Sequence, residues 1–171
     1  MRQLRVDIGG LQSCVMTDIE IRHATNSDLD GLVASSNGLF AEDGAARDRL
    51  RNPDWPRSHG AAWCAENLAS PDRLVLVAVV GQEVVGHLLG ALAGPSPMWV
   101  APRADLVSLH VMPQWRGREV GSRLVEDFVS WARERGASQL RVTAYTANEG
   151  AVRFYLRHGF APLETTFSAD L

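Results

Sequence analysis

The chain has 171 residues, of which 46% are hydrophobic and 22% charged, which is enough for one globular domain with a full core. Its net charge of −3 and the lack of a Lys/Arg stripe interleaved with aromatic residues argue against a nucleic-acid partner. No apolar run approaches the ~18 residues of a membrane span, and no signal-peptide pattern opens the chain, so we expect a cytoplasmic protein without a membrane partner. Cys14 and Cys64 lie far apart with no Cys/His cluster, which favours a reducing compartment and argues against a metal site.

The chain divides at a second methionine, Met16. Residues 1–15 show no periodicity, and we interpret them as an N-terminal extension without a fixed structure. Residues 16–171 are then expected to form a single domain.

Periodicity and turn residues predict the elements in order. The first half predicts a strand at 19–24, a helix that Asn26 or Ser27 caps and Asn37-Gly38 ends, a second helix and a loop within 39–63, and a short helix at 60–68. The second half predicts a hairpin of strands 74–80 and 83–92 around Gly81-Gln82, a strand at 106–111, a helix from Arg118 to a cap at Gly136, a strand at 139–145, a helix at 148–158 and a last strand at 160–167. This order indicates an α/β fold (α+β mixed sheet) in which one helix crosses between the central strands.

The chain is organised around residues 106–124, which join a buried strand to an amphipathic helix. Pro113 ends the strand, and a helix that begins near Arg118 leaves backbone N–H groups unpaired at a partly positive end. The residues of this turn combine small size, a hydroxyl donor and positive charge, which would suit a diphosphate: Arg116, Gly117, Arg118, Gly121 and Ser122. Any strand–turn–helix also needs a glycine and a cap, so on these residues alone both interpretations stay open.

A later segment, NEGAVRFYLRHGF, together with LHVMPQWRG resembles the GNAT family of N-acetyltransferases, which move an acetyl group from acetyl-CoA to an amine. The resemblance covers residues 19–167 in element order and is most specific over 105–160. It implies a three-layer fold, in which helices flank a central mixed, mostly antiparallel sheet.

In that family the turn after the fourth strand carries Q/R-x-x-G-x-G/A, whose backbone amides hold the CoA diphosphate. Gln114, Gly117 and Glu119 occupy the three marked places here, so the last place departs from the pattern. We expect the Glu119 carboxylate to point to solvent and to pair with Arg123. The alternative is that it faces the diphosphate and repels it.

The resemblance also implies which residues hold acetyl-CoA. Leu109, His110 and Val111 would present strand backbone to the pantetheine arm. The turn and the first part of the following helix would hold the phosphates through Arg116, Gly117, Arg118, Glu119, Val120, Gly121 and Ser122. Asn148, Ala151 and Tyr155 would face the thioester.

Two residues are candidates for the chemistry. Tyr155 is the candidate acid, because a phenol with pKa near 10 stays protonated at neutral pH and can protonate a thiolate with a pKa of roughly 8.5; its alternative role is packing beside Phe154. Asp105 lies at the start of the central strand, where several members of the resembled family place a carboxylate that draws a proton, and it is the candidate base. It shares the parity of Leu109, whereas His110 has the opposite parity and is interpreted as a packed or hydrogen-bonded histidine.

The acceptor pocket is expected to come from the early helices. Its candidate residues pair acids with aromatic rings, which suits a cationic amine: Phe40, Glu42, Asp43, Asp54, Trp55, His59 and Trp63. The alternative is a solvated helix face with tryptophans anchored in the core.

The sequence therefore predicts an acetyl-CoA-dependent N-acetyltransferase. The acetyl group would pass to a primary amine of a small molecule or a peptide by direct attack in a ternary complex, with acetyl-CoA as co-substrate and no metal. The competing interpretation is a non-catalytic acyl-CoA-binding or sensory module with the same fold. Members of the resembled family often pair, so a homodimer is also an open expectation.

Overall fold

The computed structural model describes residues 18–169 and 171. The predicted extension at 1–15 lies outside the described residues, and the division at Met16 stays a prediction. The strands are β1 Glu20–His23, β2 Arg73–Val80, β3 Glu83–Ala93, β4 Arg103–Val111 and β5 Gln139–Val142. The helices are α1 Leu29–Leu39, α2 Ala45–Arg47, α3 Trp55–Ala69, α4 Val120–Glu134 and α5 Glu149–Arg157, with 3-10 turns at Asn26–Asp28 and Pro113–Trp115 and a π-helical turn at Phe40–Gly44.

The five strands form one sheet in the order β1-β2-β3-β4-β5. Neighbours are antiparallel except β4 and β5, which run parallel because α4 crosses between them. The valine-rich β2 and β3 form a hairpin at Gly81, whose φ of +61° favours glycine. The predicted mixed, mostly antiparallel α/β sheet is confirmed.

Helices cover both faces of the sheet. On one face, Val120, Leu124 and Phe128 of α4 pack in the same cluster as Leu74 and Leu88. The opposite face carries a second cluster, in which Leu32 of α1 and Cys64 of α3 pack with Val77, Val84 and Leu89. These two clusters make the three layers that the resemblance implies.

A β-bulge in β4 changes which residues share a face. Leu89 pairs with Ser108 whereas Gly90 pairs with Leu106, so Val107 is an extra residue, and its side chain is 47% exposed. After the bulge Leu109 returns to the α4 side, where Leu106 also lies. The predicted parity is therefore wrong: Asp105 shares a face with His110 and not with Leu109.

The sheet opens between β4 and β5. Their parallel pairing ends at Leu106 and Val142, while β4 continues to Val111. In an antiparallel pair only alternate residues bond to the partner strand, and the Met112 N–H donates to the Val85 carbonyl at 2.9 Å. The backbone groups of Val111 and Leu109 therefore face away from β3, into the opening.

Several predicted elements differ from the structure; β4 begins at Arg103 and not at 106, and β5 ends at Val142 and not at 145. The predicted last strand at 160–167 is not formed in the part of the chain that the structure describes: Pro162 lacks an N–H, and the side chains of 161–169 are exposed, so no apolar face is available to bury. Glu164 instead accepts a hydrogen bond from Arg141 at 3.0 Å. Helix α3 begins at Trp55, before the predicted start at Gly60, with Pro56 in its first turn. No helix within the described ranges is long and apolar enough to cross a membrane.

Candidate active site

The π-helical turn Phe40–Gly44 continues α1 toward the opened end of the sheet. It carries two neighbouring acids, Glu42 and Asp43, one directed to β4 and the other to the start of α5. Wide turns of this kind often lie at functional sites. This turn is the part of the chain that joins the elements of the candidate site.

Glu42 bridges the strand and the glycine turn that follows it. Its Oε2 accepts a hydrogen bond from Arg116 Nη2, and its Oε1 lies 3.5 Å from His110 Nε2. Burial alone would raise the pKa of Glu42, but Arg116 and His110 outweigh it and hold that pKa below its ordinary value. Arg116 also donates through Nε to the Val111 carbonyl at 2.7 Å. Glu42 is thus a carboxylate at neutral pH, with 42% of its side chain exposed.

Asp43 ties the turn to α5. Its Oδ1 accepts hydrogen bonds from Asn148 Nδ2 at 2.8 Å and from Arg47 Nε at 2.7 Å. Asn148 Oδ1 in turn accepts the Ala151 N–H at 3.1 Å and caps α5, as predicted for this residue. The Asn148 side chain is therefore already engaged in positioning α5.

Tyr155 lies on α5, with its ring edge-on to Phe154 and to Phe160 at centroid distances of 5.4 and 5.7 Å. Burial, and secondarily the charge of Asp43, raise the pKa of Tyr155 to about 12. The phenol is therefore protonated at neutral pH. It can donate a proton, as a general acid must.

The turn before α4 leaves room for a ligand at its backbone. Gly117 has φ +72°, and no atom lies within 4 Å of the place where a Cβ would stand. Glu119 also has a positive φ, +61°, and its side chain is exposed. Arg123 donates to the Ile19 carbonyl at 3.0 Å, so the predicted Glu119–Arg123 pair is not formed. Arg118 stacks over the Trp115 ring at 4.9 Å.

Gly121 and Val120, at the start of α4, serve the packing of the helix. A Cβ on Gly121 would lie 3.4 Å from the Phe154 ring, so this glycine allows close packing of α4 against α5. The Val120 side chain is buried in the core, and only its backbone is available to a ligand. The open Gly117, the charges of Arg116 and Arg118 and the free strand backbone nevertheless fit an extended ligand with phosphate groups.

The family model described as Acetyltransferase (GNAT) family matches residues 44–160, more than half of the chain. The chain belongs to the GNAT acetyltransferase family. It is accordingly an acetyl-CoA-dependent N-acetyltransferase, which confirms the class predicted from the sequence. The match also covers the turn, the strands around the opening and α5.

Several proteins resemble this GNAT chain over nearly its whole length. The aminoalkylphosphonate N-acetyltransferase of Salmonella typhimurium is 29% identical over 164 residues, which cover 92% of this chain and 94% of that protein. The crystal structure of a transcriptional regulator from Bacillus halodurans C-125 matches with a TM-score of 0.70 and 28% identity, over 90% of this chain and 100% of that one. An aminoglycoside N-acetyltransferase, AAC(6')-Iy, in complex with CoA shares the fold with a TM-score of 0.72 and 15% identity, over 90% of this chain and 95% of that one.

Asp105, the candidate base, lies apart from the group around Glu42. It sits where β4 is still paired with β5, opposite Arg141, and Arg103 Nε is 3.4 Å from its Oδ2. None of its hydrogen bonds reaches Glu42, His110 or Tyr155. The structure therefore brings Tyr155, Asp43 and Glu42 to one end of the GNAT sheet and places Asp105 farther back along β4.

A buried polar cluster between α1 and the sheet was missed in the sequence. Ser35 Oγ lies 2.8 Å from His87 Nδ1 and 3.0 Å from His110 Nδ1, and His87 Nε2 lies 3.0 Å from Ser108 Oγ. Burial, with a smaller effect of His110, lowers the pKa of His87 to about 3, and burial also lowers the pKa of His110. Both rings are neutral at neutral pH. The available signal was His87 itself, a polar residue within an apolar strand, and the interpretation of His110 as hydrogen-bonded is confirmed.

A cavity of about 380 Å³ opens beside the π-helical turn. Of the predicted acceptor residues, only Phe40 lines it; Phe40 stacks on Trp55 at 6.1 Å, and Trp55 meets Trp63 edge-on at 6.0 Å. The lining is mostly apolar and contains one cation, Arg57: Asn37, Phe40, Ala41, Ala45, Pro53, Pro56 and Arg57. Asp54 lies 3.9 Å from Arg57 in an exposed pair.

Proposed function

We propose that this GNAT enzyme acetylates the primary amine of a small molecule by direct attack in a ternary complex. The observation that carries the proposal is the meeting of a protonated Tyr155 and the acidic turn Glu42-Asp43 at the open end of the sheet. A cavity of about 380 Å³ is in the size range of small-molecule sites, which favours a small acceptor over a peptide. A cytoplasmic location and a homodimer stay predictions.

The acetyl-CoA site is proposed along the opening and the glycine turn. The backbone of Leu109 and the N–H of Val111 face the opening and are available to amide groups of the pantetheine arm, whereas the Val111 carbonyl accepts from Arg116. The open backbone at Gly117 and the side chains of Arg116 and Arg118 would hold the phosphates. Bound acetyl-CoA supplies the acetyl group as an activated thioester.

The acceptor is proposed to be an amine that also carries an anionic group. Glu42 and Asp43 attract an ammonium group, whereas Arg57 supplies a positive charge to the neighbouring cavity. The relative from Salmonella, named for aminoalkylphosphonates, supports such an acceptor at 29% identity. Simple alkylamines should then be poorer acceptors than aminoalkyl phosphonates or phosphates of the same length.

Tyr155 is proposed to protonate the departing sulfur. Its raised pKa keeps the proton on the phenol until a thiolate forms. Asp105 remains the base predicted from the sequence, in competition with the Glu42 carboxylate.

The test is an assay of thiol release with acetyl-CoA and a panel of amines, run with Tyr155→Phe and with Tyr145→Phe. These are the two tyrosines of the chain, so each variant removes one hydroxyl. We expect Tyr155→Phe to lower kcat by roughly 10²- to 10⁴-fold, because it removes a general acid, while its calorimetric affinity for CoA is unchanged. Tyr145→Phe should keep the wild-type kcat. Equal turnover by Tyr155→Phe would contradict the acid role, and CoA binding without thiol release from any amine would contradict the proposed reaction.

A further inference from the structure

The starting observation is a buried nitrogen aimed at the active-site end of the sheet. The His110 side chain is only 6% exposed, yet its Nε2 has no hydrogen-bond partner among the described residues. Glu42 Oε1 lies 3.5 Å from this nitrogen. A buried polar atom without a partner is unusual and calls for a functional explanation.

The Ser35 hydroxyl limits how the two histidine rings carry their protons. It lies within hydrogen-bond distance of both Nδ1 atoms and has one proton to donate, so it can donate to one ring at most and at least one Nδ1 carries a proton. Three arrangements satisfy this condition. His110 carries its proton on Nε2 and His87 on Nδ1, or the two rings exchange these roles, or both rings carry the proton on Nδ1 and donate to Ser35.

Glu42 selects among the three arrangements. A carboxylate 3.5 Å from Nε2 attracts an N–H and repels a lone pair, which favours the proton on His110 Nε2. His110 Nδ1 then accepts from Ser35, His87 Nδ1–H donates to Ser35, and His87 Nε2 accepts from Ser108. Every ring nitrogen of the cluster except His110 Nε2 then has a hydrogen-bond partner, and Nε2–H faces the Glu42 carboxylate.

Close packing against α1 also restricts the His110 ring. A Cβ on Gly38 would stand 3.0 Å from His110 Cε1, so α1 lies directly against the ring edge. On its other side Glu42 is held by Arg116, while part of the carboxylate stays open to solvent. The carboxylate thus has a fixed position and an accessible face.

We infer that Ser35, His87 and Ser108 hold His110 as the Nε2–H tautomer, and that His110 thereby positions Glu42 as the carboxylate that takes the proton of the acceptor amine. The inference rests on the proposed function. In it Glu42 is the catalytic residue that touches the acceptor, and the four residues of the buried cluster are positioning residues.

The proton balance closes with the residues at the site. The acceptor's ammonium group gives one proton to Glu42, and its nitrogen then attacks the acetyl carbon, so that a C–N bond forms as the C–S bond breaks. Tyr155 donates its proton to the sulfur and takes the second proton from the new amide nitrogen. Glu42 releases its proton to solvent through its open face.

The first experiment measures the tautomers in the ligand-free wild-type protein, by NMR of ¹⁵N-labelled histidine. The expected result is the Nε2–H form for His110 and the Nδ1–H form for His87, with a mixture of forms at His110 in Ser35→Ala. The Nδ1–H form at His110 in the wild-type protein would overturn the inference. Because this measurement needs no turnover, it decides on the buried cluster even if the proposed acetyl transfer fails.

The second experiment compares Glu42→Gln with Asp105→Asn, and uses Glu126→Gln on the exposed face of α4 as the matched control. Loss of a general base should lower the kcat of Glu42→Gln by roughly 10²- to 10⁴-fold. This loss should be at least tenfold larger than the loss in Asp105→Asn. The control variant should keep the wild-type kcat. The opposite ranking would overturn the inference and assign the base to Asp105.

A final pair of variants separates positioning from folding. Ser35→Ala should lower kcat about tenfold with the KM for acetyl-CoA unchanged, and Ser35→Thr, which keeps the hydroxyl, should recover most of the loss. If Ser35→Ala does not fold, His110→Gln provides the second test, because its side-chain amide still offers an N–H to Glu42 and should retain more activity than His110→Leu. Equal turnover of His110→Gln and His110→Leu would overturn the positioning role.

Discussion

Glu119 is the non-glycine residue with a positive φ in the described part of the chain, at +61°. This left-handed conformation brings the Cβ of an L-residue close to the following carbonyl oxygen, at a cost of roughly 1–2 kcal/mol, which glycine avoids. The family pattern has Gly or Ala at this place, and here Glu119 adopts the left-handed conformation with a full side chain.

The cost can be measured by comparing Glu119→Gly with Glu119→Ala, because both variants remove the carboxylate and only one keeps a Cβ. We expect the free energy of unfolding of the Gly variant to exceed that of the Ala variant by about 1 kcal/mol in urea titrations. Since the charge is absent from both, their affinities for CoA should match. A more stable Ala variant would contradict a left-handed backbone at this residue.

At the scale of elements, α1 shows why a glycine can mislead. Asn37-Gly38 indicates a helix end in the sequence, yet α1 runs to Leu39 and continues through the π-helical turn. Gly38 is present because a side chain would meet the His110 ring, a contact across 72 positions of sequence that no local pattern contains. The direction that α1 gives to Glu42 depends on this continuation.

Replacing Gly38 by Ala tests the contact. Ala in a helix is favoured over Gly by roughly 1 kcal/mol, but here its Cβ would stand 3.0 Å from the His110 ring, which Ser35 holds from the other side. We expect kcat to fall while the gain in helix propensity is offset by the clash, so that the free energy of unfolding rises by less than in the control. That control is Gly150→Ala in α5, where a Cβ would meet only Asn148 Oδ1, at 3.7 Å. A Gly38 variant with full activity and the full helix gain would show that the ring can move aside.

The β-bulge at Val107 is a feature of the site that could not be predicted from the sequence. The five strands that form, the hairpin, the crossing helix and the cap of α5 follow from local patterns and were predicted, whereas the strand predicted at 160–167 is not formed in the described residues. The face on which Asp105 lies was predicted wrongly, because one extra residue reverses the alternation and becomes visible only from the pairing with β3. Ser35, His87 and Ser108 were missed for a related reason, since their hydrogen bonds join three separate elements.

For the molecule as a whole, His87 makes the fold sensitive to acid. In the folded chain its pKa of about 3 keeps it neutral between Ser35 and Ser108, with His110 as the nearest titratable group. In the unfolded chain a histidine takes up a proton below a pH of about 6.5. Protons therefore favour the unfolded state, and this part of the stability is present above a pH of about 6.5 and is lost as the pH falls toward 3.

The contribution of His87 to the pH dependence of stability can be measured separately at pH values above the pKa values of the carboxylates. Between pH 6.5 and 5 the free energy of unfolding of the wild-type protein should fall by up to about 1.4 kcal/mol per pH unit more than that of His87→Gln, because only the wild-type chain gains this proton on unfolding. The pKa of Asp28, held well below its usual range by Arg22, contributes only at lower pH. Urea titrations at several pH values provide the measurement, and parallel slopes would contradict a neutral His87.

The part of β4 that extends beyond its pairing with β5 affects how the purified enzyme should be stored. Without a ligand, the backbone at Leu109 and the N–H of Val111 remain unpaired beside the half-exposed Val107, as in an edge strand. Edge strands can pair with extended segments of neighbouring chains and so promote aggregation. A ligand lying in the opening occupies the same donors and acceptors as a sixth strand would. Concentrated stocks should therefore stay clear for longer, by light scattering, when CoA is included in the storage buffer.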